Sequence, residues 1–465
     1  MTRLCRPYAR QAYFHPGGQG VGTAQGKSSC CTMITKKNDA RVVVVGAGIS
    51  GIACARELRE KGVDVVILEA RDRIGGRIHT VNWGGVALDV GASWIHGLKG
   101  NPVYQLAQDL GVETTNSNLW NCSVYDKGHS LGYFSKVLKY WRYLGLQRKL
   151  EKLGATSKED LSIHEAFLML VGGNSRRSQR SSFETMFLHV DTSENYGSDA
   201  STLSLKEWHQ DVDFEGVDVV FPNGYAELLE KASKGLDIRL EHPVDLVEWG
   251  DCGVKIHSGE NFLAAEAVVL TVPLGVLKSG DVRFKPDLPA EKVRSIQNLH
   301  MGYFNKVILK FSHVFWPNRE CFAFTVGLDE PNMSLIINFE KYLKVPILVG
   351  LLGGKFAKES ERMSDESMVA LTMARLREAF GGDIPDPVSY FRTKWCEDPY
   401  SMGAYSSIPV GSSAQDRVKL GDNVSNRLFW AGEAASVKYA ATVHGAYLSG
   451  VETAQEILAS SVGKC

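Results

Sequence analysis

Residues 41–69 read RVVVVGAGISGIACARELREKGVDVVILE, and this stretch decides the fold. Arg41–Val45 is a β-branched apolar run, as a parallel strand buried on both faces requires. Gly46-Ala47-Gly48-Ile49-Ser50-Gly51 follows at once, then Ile52–Lys61 with helical composition and Gly62 as a stop. Val63–Leu68 reads as the next strand, closed by Glu69. Gly46 makes the tight turn, Gly48 lets backbone approach a pyrophosphate, and Gly51 lets helix and strand pack closely. The helix start then presents unpaired N–H groups and its positive dipole end to the phosphates. Glu69, 18 residues past Gly51, is placed to accept from ribose hydroxyls. A lone GxGxxG is often a chance loop. Here strand, helix, second strand and terminal acid fall in order, and the stretch reads as a dinucleotide site.

The next residues, Glu69-Ala70-Arg71-Asp72-Arg73-Ile74-Gly75-Gly76-Arg77, favour FAD over NAD and resemble the ribose and phosphate loop of two-domain flavoproteins. Gly75 and Gly76 permit close backbone approach, and Arg71 and Arg77 set charge against a diphosphate.

At 465 residues the chain is too long for one compact core and suits two or three domains. A formal net charge of −1 argues against nucleic-acid binding through bulk charge. Apolar runs are strand-sized, so no transmembrane helix is expected. Nine cysteines are scattered without CxxC or Cys/His spacing. They read as reduced residues of an intracellular protein, cytoplasmic or organellar, with no metal site. Residues 1–38 carry six Lys or Arg and no acid, as a disordered leader or transit peptide would.

Further stretches resemble the flavin amine oxidase family, in the branch holding polyamine oxidases, spermine oxidase and the lysine-specific histone demethylase. They are Asp89-Val90-Gly91-Ala92-Ser93-Trp94-Ile95-His96-Gly97, Leu270–Leu277, Trp395 through Tyr405, Phe429-Trp430-Ala431-Gly432-Glu433, and Thr442-Val443-His444-Gly445-Ala446. The resemblance runs from about Arg41 to Leu458. It implies α/β and α+β architecture: a two-domain, FAD-binding Rossmann-type flavoprotein with a mixed-sheet substrate-binding domain, both discontinuous in sequence. The FAD domain would gather 39–105, 215–285 and 395–465; the substrate domain would gather 106–214 and 286–394. The Gly172–Ser182 loop, rich in Ser and Arg, gives no sign of a separate module.

The same resemblance implies the site. Cofactor contacts fall on Gly46, Gly48, Ile49, Ser50, Gly51, Glu69, Ala70, Arg71, Gly76, Arg77, Gly91, Ala92, Ser93, Trp94, Val244, Trp395, Tyr400, Gly432, Glu433, Thr442 and Val443. Lys306 matches the family lysine that holds a water near the flavin N5 atom. Tyr405 matches an aromatic-cage position, where a ring guides the amine by packing and cation–π attraction. The second cage position of monoamine oxidases falls on Thr442, which favours a slimmer, more polar channel for a long cation. Thr442 also suits a helix N-cap, whose dipole can stabilise negative charge on the reduced flavin. The residue before Tyr405 is Ala404, where monoamine oxidases carry the tethering cysteine, so FAD is expected to be non-covalent. His96 matches a channel histidine able to accept from a substrate ammonium. Glu194 and Asp199 supply negative charge expected at the channel mouth.

The expected reaction is oxidation of spermine, spermidine or acetylated forms, with imine hydrolysis and reduction of molecular oxygen to hydrogen peroxide. Demethylation of protein lysines by the same chemistry is the alternative, but neither a separate N-terminal helical domain nor a long helical insertion is visible. A catalytically silent flavin-binding interaction protein is the third; Lys306, Trp395 and Tyr405 speak against it.

Overall fold

The computed structural model describes residues 41–172, 182–209, 211–327 and 333–460. The 1–38 segment and nearly all of the Gly172–Ser182 loop lie outside them.

Strand β1 (Val42–Val45) is the middle of a five-stranded parallel sheet. On one side lie β2 (Val65–Leu68) and Asp237–Arg239; on the other lie Ala267–Leu270 and Leu428–Trp430. Val45 is level with both Leu68 and Leu270, so the strands end together. Alternate valines explain the four-residue apolar run: Val42 and Val44 enter one core cluster, Val43 and Val45 the other. Helix α1 spans Ile49–Glu60, starting three residues before its composition suggested. It packs against the helix Val443–Ala459. At Gly51 a Cβ would stand 2.0 Å from the Gly46 carbonyl oxygen, so no larger residue fits. Gly46 itself has φ +107°, open to glycine alone at low cost.

The second large sheet is mixed and seven-stranded. Its order is Ser389–Arg392, Phe304–Lys310, Ile347–Gly353, Leu335–Asn338, Cys321–Phe324, Cys122–Asp126, His129–Ser130. It too is covered on both faces. Ile308, Ile337 and Val349 lie in one cluster; Val307, Ile336 and Leu348 lie in the other. Lys306 falls on the Ile308 side by strand alternation.

One cysteine expectation is corrected. Cys122 and Cys321 are disulfide-bonded, with Cα atoms 4.6 Å apart. They are direct partners in parallel strands, a juxtaposition that a separation of 199 residues hides in the sequence. Cys54 and Cys396 are free thiols. Among the described residues no group of His, Cys, Asp and Glu could hold a metal, and no helix is long and apolar enough to cross a membrane.

Candidate active site

A cavity of about 520 Å³ opens beyond the carboxyl ends of the parallel strands and runs to the Lys306 strand. Ligands of open α/β sheets bind at this kind of edge, where neighbouring connections run opposite ways. Gly46, Gly48, Ile49 and Ser50 line it from the β1–α1 turn, and Glu69, Ala70, Arg71, Gly76 and Arg77 from the loop after β2. Gly91 to Trp94, Val244, Trp395, Tyr400, Gly432, Glu433, Thr442 and Val443 complete that side. Gly51 does not face the cavity; it acts by letting α1 close on the turn.

Charges in this half come in pairs. The two oxygens of buried Glu69 accept from Ala47 N at 2.7 Å and Arg71 N at 2.9 Å, tying the two loops together. Arg71 forms a fork with Asp398 (2.8 and 2.6 Å), donates to Ser401 Oγ, and lies 5.4 Å from the Tyr400 ring centre. Arg77 donates to Glu433 at 2.8 Å and to the Ala404 carbonyl. Burial alone would raise the Glu433 carboxyl, but Arg77 and Arg417 hold it below the usual range. Thr442 is a true N-cap: its Oγ1 accepts from Gly445 N at 2.9 Å. Trp395 is fixed by its indole N–H on the Val90 carbonyl, 3.1 Å away.

The other half holds two buried charges without a directly bonded opposite charge, Lys306 and Glu194, beside one pair, His96 with Asp218. Lys306 Nζ donates to Asp89 O (2.9 Å), Gly91 O (2.7 Å) and Ser93 Oγ (2.6 Å). Burial pushes this ammonium well below the usual lysine range, partly offset by the Asp89 carboxyl. Glu194 ends a five-residue π-helical turn, Val190–Glu194, that continues the helix Phe183–His189. Its Oε1 accepts from Ser334 Oγ at 2.5 Å, and Oε2 has no partner although it is buried in the cavity wall. Burial raises its pKa to about 7 against the Ser334 bond. The Tyr405 hydroxyl donates to the Glu194 carbonyl, joining its ring to the π-helical turn. His96 Nδ1 lies 2.9 Å from Asp218 Oδ2. Asp218 resists the upward pull of burial and stays low because His96 and Gly97 N bond it. An ionised carboxylate only accepts, so Nδ1 carries a proton and donates it to Asp218. Phe304, Leu335, Ile337 and Leu351 give this half an apolar wall.

A model of the flavin containing amine oxidoreductases matches residues 49–458. The chain belongs to this family. A probable polyamine oxidase 4 of Arabidopsis thaliana is 34% identical over 91% of the chain and 88% of its own length. Polyamine oxidase 3 of Oryza sativa subsp. japonica is 35% identical, covering 90% of each. A lysine-specific histone demethylase 1 homolog of Arabidopsis thaliana is 35% identical over 90% of the chain but 58% of its own length. A solved putrescine oxidase bound to putrescine shares the fold: TM-score 0.76, 19% identity, 90% of this chain and 99% of that one.

As a flavin amine oxidase the chain uses FAD, and its residues fit that cofactor. No side chain caps α1, so its first N–H groups are left for a phosphate, and a Cβ at Gly48 would meet nothing within 4 Å. Among the described residues lining the cavity none is cysteine, and Ala404 stands before Tyr405, as non-covalent FAD requires.

Two site expectations are revised. Glu194 is not at a solvent-washed mouth but inside the wall. Asp199 does not line the cavity; its carboxylate accepts from Lys355 N at 3.0 Å, at the start of the helix Gly354–Ser360. Sequence reasoning missed Asp218 and Asp398, each paired with a site residue more than a hundred positions away. An acid inside the apolar run Val217–Phe221 was the available signal for Asp218.

Proposed function

We propose that this amine oxidase acts on polyamines, namely spermine, spermidine or their acetylated forms, with Lys306, Tyr405, Thr442 and His96 as its working residues. FAD, when bound, accepts the hydride equivalent from the carbon next to nitrogen and passes its electrons to oxygen, giving hydrogen peroxide. The observation that carries the substrate class is Glu194: a buried carboxyl with one partnerless oxygen in the cavity wall suits an entering ammonium. His96, held by Asp218, offers a second acceptor to a distal amine. Tyr405 supplies a ring for the same cation, and the apolar wall excludes water from the reacting carbon. Three N–H directions of Lys306 are already taken, so holding a water there requires the Ser93 hydroxyl to turn away. The Val443–Ala459 helix, capped by Thr442, sets its positive end toward the cavity, where charge builds on reduction.

The same reading divides the chain as the sequence suggested. All five parallel strands fall in 39–105, 215–285 and 395–465, and all seven strands of the mixed sheet fall in 106–214 and 286–394.

The demethylase relatives favour one other reading, the same chemistry on an N-methylated lysine of a protein. Anaerobic titration of the yellow holoprotein decides. Spermine or an acetylated form should bleach the flavin within turnover time while a methylated histone-tail peptide leaves it coloured; the reverse pattern rejects the polyamine reading.

A further inference from the structure

The helix Tyr133–Thr156 packs against the helices Ile163–Val171 and Phe183–His189 along one side only. Its opposite face follows helical spacing: Phe134, Leu138, Trp141, Gly145, Arg148, Lys149 and Lys152. Among the described residues nothing covers the first half of that face. Phe134 is 85% exposed, Leu138 66% and Trp141 59%, with Tyr133 at 72% beside them. Trp120, 52% exposed and edge-on to Tyr140 at 5.6 Å, widens the apolar area. Large exposed aromatics gathered in one place mark an interaction surface rather than ordinary exterior.

The second half of the face is basic. Arg148, Lys149 and Lys152 are exposed on it against one exposed acid of the helix, Glu151, in a chain whose net charge is −1. Aromatic and leucine side chains followed by Lys and Arg on a single face describe a helix lying flat at an anionic lipid interface: rings enter the headgroup boundary and cations meet the phosphates. The charge argues against other occupants. Residues 1–38 and 173–181 carry basic side chains and no acid, so their sequence offers these cations no opposite charge. A second copy would add cations of the same sign rather than the opposite charge that this face lacks.

We infer that the outer face of Tyr133–Thr156 is a docking surface for anionic membranes, with Phe134, Leu138 and Trp141 inserting and Arg148, Lys149 and Lys152 on lipid phosphates. The face adjoins the cavity through the chain itself, since Leu119 lines the cavity and Trp120 follows it.

Flotation of the full-chain holoprotein tests this, using phosphatidylcholine vesicles with and without about one third phosphatidylserine. The protein should float with the anionic vesicles, poorly with the neutral ones, and less as salt rises. The double variant Phe134→Ser/Trp141→Ser should lose about tenfold or more in vesicle affinity. Arg148→Glu/Lys149→Glu should lose at least as much on anionic vesicles. Both should keep flavin content and amine turnover, which shows that the fold is intact. The proposal is overturned if the unaltered protein does not float with anionic vesicles, whatever self-association or protein binding the face then supports. It is equally overturned if both double variants float as well as the parent, because the basic N-terminal segment would then carry the binding.

Discussion

The two halves of the cavity wall handle charge differently. On the dinucleotide side, ionised groups meet opposite charges: Arg71 with Asp398 and Arg77 with Glu433. On the amine side, Lys306 is surrounded by two carbonyls and a hydroxyl, and Glu194 by one serine. The first half keeps its charges fixed, which suits the constant charge of a dinucleotide. In the second, burial shifts protonation, so the state of each group depends on what enters the cavity.

Mutation of one group from each half sharpens this contrast. The largest effect is expected at Lys306. Lys306→Met should retain FAD yet slow amine-dependent flavin reduction or reoxidation by about a hundredfold or more, read by stopped-flow absorbance. Unchanged turnover would remove Lys306 from the mechanism. Next comes Arg77→Met, which removes the cation bonded to buried Glu433, leaves only the more distant Arg417, and should cost about 2 kcal/mol. That loss is read as weaker FAD retention and a lower Tm, with Arg77→Met/Glu433→Gln recovering part of it. Retention equal to the parent would mean that the pairing does not organise the dinucleotide half.

Glu194→Gln should have the smallest effect, about tenfold in kcat/KM for spermine, with FAD binding untouched. Its pH signature follows from the sign of the shift. With a pKa raised to about 7, Glu194 is neutral below that value and becomes the ion that attracts an ammonium above it. The parent's kcat/KM should therefore climb as pH rises through about 7, and Glu194→Gln should flatten that limb. A climb of equal size in both proteins would place the titrating group elsewhere.

The same contrast explains what the sequence could reveal. The β1–α1–β2 unit is contiguous, and its constraints are local: β-branched residues for a twice-covered strand and glycines at two close approaches. The helix start was misjudged, because Ile49, Ser50 and Gly51 form its first turn despite poor helical preference, and the second strand begins at Val65 rather than Val63. The amine half has no such local grammar. Lys306 was found through resemblance, since a lysine within an apolar strand normally reads as an edge residue. Glu194 looked like a solvated loop acid because the residues that bury it, including Ser334, lie 140 positions away. The pairing of Asp218 with His96 and the Cys122–Cys321 link were hidden for the same reason. Asp199 shares a stretch of sequence with Glu194 but not its surroundings.

The wide turn Val190–Glu194 has a consequence for how this cavity can diversify. A π-turn accommodates one residue more than the α-helix it interrupts. Removing a single codon would let the ordinary winding resume and swing the terminal carboxylate about 100° around the axis, out of the wall. Under the role proposed for Glu194, selectivity for cations is then gained or lost in one indel that leaves the β1–α1 turn untouched.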